Sequence, residues 1–282
     1  MFLKYLTCIF FLRACIFFEK LSYSANLFAY FKKKLYLCTE IGNKTIAMLR
    51  SVFFPRCCPM CGRYTGEKSK QGQLCDRCVD TLPRTEQALI RQNETEMTLA
   101  GKTSDIVATM RVMHLDHAAA FLFFEKDHPV QSIIHKMKYA DQPFIGYHLG
   151  RQAATEFLYT DFFEGIDLIA PVPLHKNRMR SRGYNQSEYI ARGISDITGI
   201  PLDTTHVTRE IDTPKQALQS GEDRKNNVAG AFAVNHPEQM YRKHILLVDD
   251  LVTTGETVRS CLKTMKRFRG ARFSVFALCK AR

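Results

Sequence analysis

Two adjacent carboxylates near the C-terminal end of the chain have the setting of a ligand-binding pair. Ile245–Val248 is a short apolar run, β-branched at both ends, which predicts a strand buried on both faces of a parallel sheet. Asp249 and Asp250 follow where this strand is expected to end. Because ligands of open α/β sheets bind at the carboxyl ends of the strands, we expect both acids to face a ligand.

A loop rich in hydroxyl groups follows the acidic pair and leads into a predicted helix at 258–268. Hydroxyls, a glycine and free backbone N–H groups at a helix start suit a phosphate group. The hydroxyls belong to Thr253, Thr254 and Thr257, and the glycine is Gly255. The acids offer acceptors for vicinal hydroxyls and the loop offers donors for a phosphate, which together suit a sugar phosphate. The alternative is an acidic turn and a loop that only cap the next helix.

Four cysteines form two pairs whose spacing suits a metal ion. A two-residue gap lets both thiolates of a turn face one ion, and thirteen residues separate the two pairs, which are Cys58, Cys61, Cys75 and Cys78. Two such turns complete a tetrahedral S₄ site for zinc. Because four protein ligands leave no open position, we expect this zinc to be structural and the compartment to be reducing. Two disulfides or a redox pair are the alternatives.

The composition is that of an ordinary globular protein. The 282 residues are 45% hydrophobic and 24% charged, which disfavours disorder and allows one or two domains. The net charge of +12 favours anionic partners such as nucleic acid, phosphorylated small molecules or a membrane surface. Cys261 and Cys279 lie within apolar patterns and are expected in the core.

Residues 1–47 differ from the rest of the chain. They are rich in Phe, Leu, Tyr, Cys and Lys and have no clear helical or alternating period. Their most apolar part, Tyr5–Phe18, is shorter than the ~20 residues that span a bilayer, and Arg13 interrupts it. We expect this segment to be non-native, with translation starting at Met48. A weakly membrane-associating or export segment and a packed element are the alternatives.

Strands and helices alternate from about residue 106 onward, which predicts parallel βαβ units. The helices predicted before the acidic pair are Pro129–Tyr139, Phe144–Leu158 and Gln186–Thr198. The other predicted strands are 118–124, 167–172, 204–208, 231–234 and 272–278. The predicted organisation is a four-cysteine module at 48–83, a helical or loose connector at 84–105 and an α/β domain at 106–282.

The stretch from His244 to Thr257 resembles the 5-phosphoribosyl-1-diphosphate (PRPP) signature of type I phosphoribosyltransferases. The loops at 171–186 and 213–232 resemble motifs of the ComF branch of that family, which also carries a four-cysteine N-terminal finger. The match covers about residues 50–282. The resemblance implies the type I phosphoribosyltransferase fold, an α/β architecture with a mostly parallel sheet flanked by helices. A small zinc-ribbon-like module is expected to precede it.

By this resemblance, Asp249 and Asp250 hold the ribose hydroxyls and the loop after them holds the 5-phosphate. Arg178 and Arg182 are the candidates for the pyrophosphate, because guanidinium forks match phosphate oxygens in pairs. Lys215 is expected to act in catalysis with the two acids, from a flexible loop that closes over the site. Mg²⁺ is expected to bridge pyrophosphate and ribose hydroxyls. An exposed basic segment or a nucleic-acid patch is the alternative for 176–182.

The resemblance implies two functions. One is a cytoplasmic phosphoribosyltransferase that transfers the phosphoribosyl group of PRPP to an unidentified nitrogen acceptor and releases pyrophosphate. Glutamine-dependent amination is not expected, since Phe2 or Leu49 stands where a glutaminase has its N-terminal cysteine. The other function is a single-stranded DNA-handling factor for natural transformation, with basic residues near the C-terminus contributing: Lys263, Lys266, Arg267, Arg269 and Arg272. The competence machinery and a second copy of the chain are further candidate partners.

Overall fold

The computed structural model describes residues 56–66, 69–85, 90–91, 114–125, 127–211 and 231–281. The predictions for residues 1–47, for a start at Met48 and for Lys215 fall outside these ranges. The described residues from Cys57 onward belong to one compact unit.

The strands of this unit form one larger sheet and one short ladder. In chain order they are β1 (Ile90–Arg91), β2 (His117–Phe124), β3 (Leu168–Pro171), β4 (Val207–Arg209), β5 (Phe232–Val234), β6 (His244–Val252) and β7 (Arg272–Ala281). The larger sheet has the order β1-β2-β7-β6-β3, in which only the edge strand β1 is antiparallel to its neighbour. β4 and β5 pair with each other in antiparallel register.

Helices cover both faces of the larger sheet. The described helices are α1 (Asp76–Asp80), α2 (Pro129–Tyr139), α3 (Phe144–Phe157), α4 (Lys176–Arg182), α5 (Gln186–Thr198) and α6 (Glu256–Met265). Apolar residues of α2, α3 and α5 fill the core on one face, and those of α6 fill it on the other. None of the helices in these described ranges is both long and apolar enough to cross a membrane.

The strand that carries the acidic pair is buried on both faces, as its apolar run predicts. Ile245 and Leu247 pack in the core beside α6, whereas Leu246 and Val248 pack beside α2, α3 and α5. Side chains alternate along a strand, so each layer receives every second residue. Each buried aliphatic side chain contributes roughly 1.5–3 kcal/mol, and this burial anchors the strand that positions the two acids.

Local signals define helix α5 and bring its first turn to the sheet edge. The Asn185 side chain accepts a hydrogen bond from the N–H of Ser187 at 3.2 Å, and Gly199 ends the helix with a φ of 73°. A polar N-cap and a left-handed glycine are the start and stop signals of a helix. The predicted bounds of this helix and of α2 are confirmed.

Strand β6 is longer than predicted. We expected it to end at Val248, but it continues to Val252 because its last residues still pair with β7, with Asp249 opposite Ala277 and Leu251 opposite Cys279. The acidic pair therefore lies within the end of the strand rather than in the loop that follows it.

The segment 176–182 is helical, although the sequence analysis took it as part of a loop. The ring Nδ1 of His175 accepts a hydrogen bond from the N–H of Asn177 at 3.2 Å, which caps the start of α4. Gly183 ends α4 with a φ of 79°. These two caps make a short helix out of a segment that has no buried residue and no apolar stripe.

Part of the predicted connector belongs to the sheet. Ile90 and Arg91 are extended and pair with His117 and Ala118 of β2, so these two residues are not helical. Arg84 forms a further bridge with Leu122. Pairing with the sheet edge, which the sequence of this segment does not reveal, decides its conformation.

The β4–β5 ladder joins the two ends of the segment 212–230. The N–H groups of Glu210 and Ile211 donate to the carbonyl oxygen of Ala231 at 2.9 and 3.4 Å. The His175 Nε2 donates to the Glu210 carbonyl at 3.1 Å. The base of this segment therefore adjoins the start of α4.

Candidate functional site

The acidic pair lies at the carboxyl end of the sheet, where β6 extends further than the neighbouring strand β3. β3 stops pairing with β6 at Pro171 and Val248, so the two acids extend beyond it. Asp249 and Asp250 are 9% and 8% exposed. The carboxyl ends of the strands are where open α/β sheets bind ligands.

Asp249 is held by two hydrogen bonds. Its Oδ1 accepts from the Ser187 hydroxyl at 3.1 Å and from the N–H of Asp250 at 2.9 Å. Burial and the charge of Asp250 nevertheless raise the pKa of Asp249 to about 7, against the opposing effects of Lys138 and Ser187. A buried carboxylate whose charge is only partly compensated is typical of a functional site.

Asp250 forms an ion pair with a lysine that the sequence analysis did not single out. The Nζ of Lys138 lies 3.0 Å from Asp250 Oδ2, and the two side chains are 16% and 12% exposed. Lys138 follows the buried residues Val130, Ile134 and Met137 on the same face of α2. Apolar residues at this spacing predict a buried face of the helix. A lysine on the same face was the sequence signal that could have identified Lys138.

The turn after β6 has the backbone that a phosphate-binding loop requires. Gly255 has a φ of 72°, in the left-handed region that favours glycine, and directly precedes α6. Thr253 and Thr254 are exposed, and Thr257 lies in the first turn of α6. Because the first N–H groups of a helix lack intrahelical partners, the turn offers hydroxyl and N–H donors together.

The basic helix α4 brings Arg182 beside the turn that carries Lys138. The Arg182 guanidinium lies 5.0 Å from the centre of the Tyr139 ring. The Tyr184 hydroxyl donates to the carbonyl of Met137 at 2.7 Å. Arg178 lies one turn earlier on α4 and is half-buried. Both predicted pyrophosphate ligands are thus on a helix that adjoins the last turn of α2.

Four thiols form a cluster with the dimensions of a metal site. The Sγ atoms of Cys58, Cys61, Cys75 and Cys78 all lie within 4.8 Å of one another. A tetrahedral S₄ site with metal–sulfur bonds of ~2.3 Å has sulfur atoms about 3.8 Å apart, and the Cys61–Cys75 separation is 3.8 Å. Every cysteine in the described part of the chain is a free thiol, so the disulfide alternative is not supported.

The thiol environment favours a thiolate at Cys58. Burial opposes ionisation there, but backbone N–H groups of Cys61 and Cys75 donate to the sulfur and lower the pKa of Cys58 to about 7. The N–H of Cys75 lies 3.4 Å from Cys58 Sγ. Since a thiolate is the form that binds metal, these backbone donors prepare the site.

The cysteine module is attached to the helices of the sheet domain. Lys136 Nζ donates to the carbonyl of Pro59 at 2.6 Å. Gly72 lies so close to α3 that an added Cβ would sit 2.7 Å from the backbone nitrogen of Ile145. Cys58 and Leu74 belong to the same hydrophobic core as α2, α3 and α5. The module therefore supports α2, the helix that carries Lys138.

Comparison with known proteins identifies the family of the chain. The DNA utilization protein YhgH of Escherichia coli K12 is 33% identical over 155 residues, which cover 54% of this chain and 67% of that protein. Competence protein F of Haemophilus influenzae is 32% identical over 158 residues, or 54% of this chain and 69% of that protein. The chain belongs to the ComF family. A comparison with models of protein families gave no match.

Solved structures similar to this ComF protein are distant. They include an allosteric regulatory enzyme of purine biosynthesis, with 14% identity and a TM-score of 0.33 over 50% of this chain and 30% of that chain. Hypoxanthine phosphoribosyl transferase of Trypanosoma cruzi has 12% identity and a TM-score of 0.30 over 51% and 67%. Likenesses this distant say nothing about activity. Family membership and the mostly parallel sheet, preceded by the cysteine cluster, confirm the predicted fold class.

The ComF structure brings some predicted site residues together and adds others. The two acids and the hydroxyl loop are contiguous, and α4 adjoins them through α2. Sequence analysis missed Lys138 and Ser187. Ser187 stands two residues after the N-cap Asn185, and this position in the first turn of α5 was the signal that could have placed it at the sheet edge.

Proposed function

We propose that this ComF protein binds PRPP at the acidic pair and the hydroxyl loop. The observation that carries the proposal is the burial of Asp249 and Asp250 side by side at the end of a central strand, directly before a left-handed glycine and a helix start. Carboxylates accept hydrogen bonds from ribose hydroxyls, while the loop and α6 donate to the 5-phosphate. No neutral sugar needs both halves of such a site.

The proposed pyrophosphate position is beside α4. Arg178 and Arg182 would supply paired donors to phosphate oxygens. The base of the segment that contains Lys215 adjoins the same helix through the His175–Glu210 hydrogen bond. We propose that Lys215 acts in catalysis from this segment, as the family resemblance implies.

Mg²⁺ fits the donor chemistry of this site as a companion of PRPP. The ion takes oxygen ligands and keeps several waters, and it would neutralise charge on the leaving pyrophosphate. Asp249 and Asp250 already accept from Ser187, a backbone N–H and Lys138. These contacts hold the two acids in place, so that their oxygens would orient ribose hydroxyls and water molecules on the ion.

The reaction we propose is transfer of the phosphoribosyl group to a nitrogen nucleophile with release of pyrophosphate. The bond from the anomeric carbon to the pyrophosphate oxygen breaks, and a bond to nitrogen forms. The residues of this chain would bind and orient the two phosphate groups and exclude water. The acids act through the ribose hydroxyls and do not attack the anomeric carbon.

The test of PRPP binding is calorimetric titration of the full chain with PRPP and Mg²⁺. We expect Asp250→Asn to weaken binding at least about tenfold, or roughly 1.4 kcal/mol. Glu164→Gln is the matched control, because Glu164 is an exposed acid just before β3 at the opposite end of the sheet. Equal affinity of Asp250→Asn and the wild-type protein would refute the assignment.

We propose that the four cysteines hold a structural zinc ion. The cluster fits a tetrahedral S₄ site, and four thiolates leave no position for substrate. Metal analysis of protein purified under reducing conditions should give about one zinc per chain, and Cys61→Ser should lose it. Cys57→Ser is the matched control, since Cys57 is equally exposed and lies outside the cluster.

A second candidate function is the handling of single-stranded DNA. Relatives are named for DNA utilization and competence, and two exposed rings lie at the end of α2 and the start of α3, one of them next to an arginine. Tyr139 and Phe144 are 52% and 42% exposed, and Arg182 stacks on Tyr139. Aromatic rings interleaved with arginine suit stacked bases and phosphates.

The two candidate functions separate experimentally. PRPP-dependent pyrophosphate release with a nitrogen base supports transfer, and binding of an oligonucleotide that weakens steeply with salt supports DNA handling. Tyr139→Ala should reduce oligonucleotide binding, with Tyr159→Ala, at a ring 90% exposed elsewhere, as its control. The exposed residues Lys263, Lys266, Arg267 and Arg269 lie at the other end of the sheet, just before β7.

A further inference from the structure

The last turn of α2 contacts the proposed PRPP site through three consecutive residues. The Met137 carbonyl accepts from the Tyr184 hydroxyl at 2.7 Å, Lys138 pairs with Asp250 at 3.0 Å, and the Tyr139 ring lies 5.0 Å from the Arg182 guanidinium. One contact reaches β6, one reaches α4, and one reaches Tyr184, two residues after the end of α4. This turn is thus built into the junction between the acidic pair and the basic helix.

Lys138 has the burial of a lysine with a specific partner. Its side chain is 16% exposed, and lysines are seldom buried unless they are paired. Among the described residues, Lys138 provides the one ion pair to either acid of the site. Two carboxylates that are adjacent and more than nine-tenths buried repel each other strongly unless a cation lies close to them.

Besides Lys138, the titratable groups near the pair, among the residues that the structure describes, are two neutral thiols and one cation, Arg209. The thiol of Cys261 on α6 is close to Asp249, and the thiol of Cys279 on β7 is close to Asp250 and Lys138; burial raises the pKa of both thiols. The positive charge of Arg209 on β4 opposes the rise in the pKa of the Cys261 thiol. The hydroxyl of Ser187 on α5 is a donor without charge. Compensation of the acidic pair among these neighbours therefore falls mainly to Lys138.

We propose that Lys138 is a positioning residue of the PRPP site, whose ammonium group favours the ionised form of both acids, the form that accepts hydrogen bonds from the ribose hydroxyls. The inference rests on the proposed function, since it assigns the lysine to the same ligand. A protonated acid has lost half of its acceptor character and would present a donor to a ribose hydroxyl that must itself donate. Lys138 acts through the acids and need not touch PRPP.

The test compares the pH dependence of Mg²⁺–PRPP binding in the wild-type protein, Lys138→Met and Lys138→Arg. We expect Lys138→Met to bind about fivefold more weakly at pH 7 and to recover most of this loss at pH 9, because the midpoint of binding moves upward from about 7 by about one pH unit. Lys138→Arg should restore the midpoint. Lys263→Met, which removes an exposed lysine of α6, is the matched control.

A merely structural role for Lys138 would lower stability without moving the pH midpoint, and an unchanged midpoint in Lys138→Met overturns the proposal. If Lys138→Met does not fold, Lys138→Gln keeps a polar side chain of similar reach without the charge and gives the same comparison. Titration of ¹³C-carboxyl-labelled aspartate without PRPP separates the two proposals. A wild-type protein that does not bind PRPP refutes the proposed function alone, whereas carboxyl titrations that coincide in wild type and Lys138→Met refute the role of Lys138.

Discussion

The two ends of strand β6 carry polar clusters of opposite character. At the carboxyl end, Asp249 and Asp250 are buried together, and among the described residues Lys138 is the one cation that forms an ion pair with them. At the amino end, His244 is 2% exposed, and its backbone N–H and both ring nitrogens are hydrogen-bonded. Both clusters are polar groups at the ends of the same buried strand, so burial by itself does not separate a site from a structural network.

The amino-end cluster leaves its central residue with no free donor or acceptor. The backbone N–H of His244 donates to Asp167 at 2.8 Å, its Nδ1 donates to the Gly165 carbonyl at 3.1 Å, and its Nε2 accepts from the Ser274 hydroxyl at 2.8 Å. Asp116 lies 3.7 Å from the same Nε2. Fully satisfied networks of this kind rigidify a fold.

The carboxyl end differs because its charges are incompletely matched. Burial and the repulsion between the two acids raise the pKa of Asp249, although Lys138 opposes this rise. An arrangement that costs stability when it is empty is typical of sites that gain stability from a ligand. The difference supports our proposal that the carboxyl end is the functional one, and each prediction below tests one side of it.

Removal of metal from the cysteine cluster should have the largest effect. The module holds α2 through the contact of Lys136 with Pro59, so we expect a strong chelator to lower the free energy of unfolding by about 5 kcal/mol or more. Hydrogen exchange should rise in α2 and around Lys138 before it rises at His244. Uniform loss of protection at both ends of β6 would contradict a selective support of the carboxyl end. Chelator treatment of Cys61→Ser, which should already lack metal, is the control.

His244→Leu should be the next most damaging change. It leaves the Ser274 hydroxyl, which is 0% exposed, without its acceptor, and we expect a loss of about 3 kcal/mol in denaturant unfolding. Burial lowers the pKa of His244, so as the pH falls the unfolded chain takes up a proton before the folded chain does. Wild-type stability should therefore decrease below about pH 6.5, and His244→Leu should lack this component. PRPP binding by the folded variant should be unchanged.

Asp249→Asn should stabilise the protein while it abolishes PRPP binding. The raised pKa means that the folded chain holds a proton between about pH 4 and 7, where the unfolded chain has lost it. The stability cost of this acid therefore grows over that range and is complete above pH 7. We expect a gain of about 2 kcal/mol at pH 8 and little at pH 4. A loss of stability at pH 8 would show that the carboxyl end is not electrostatically strained.

Arg272→Gln should have the smallest effect, although it also removes an ion pair. Arg272 lies 3.1 Å from Asp116 at the amino end, but its side chain is 60% exposed. Solvent screens such pairs, and we expect a change of less than about 0.5 kcal/mol in thermal or denaturant unfolding. A larger loss of stability would show that Arg272 is a structural part of the amino-end cluster.

Sequence reasoning succeeded where the signals are local. The bounds of α2 and α5 follow from an N-terminal proline, a polar cap and a terminal glycine within a few residues of the helix. The cysteine spacing predicted the thiol cluster for the same reason, since a two-residue gap fixes the geometry of one turn. The acidic pair and the hydroxyl loop are contiguous in the chain, so their proximity required no knowledge of the fold.

Contacts between distant segments were decided by tertiary structure. Lys138 reaches Asp250, and Ser187 reaches Asp249, because α2 and α5 pack on the face of the sheet beside the end of β6. The length of β6 depends on pairing with β7, and the conformation of Ile90 depends on pairing with β2.

The sequence by itself determined which residues are candidates for the chemistry, since two adjacent acids, a hydroxyl loop and four cysteines are recognisable from type and spacing. Only the tertiary structure decided how their charges are compensated. Hydrogen bonds and ion pairs are short-range and directional, so the partner of a buried carboxylate is set by the packing of helices whose sequences lie far from it.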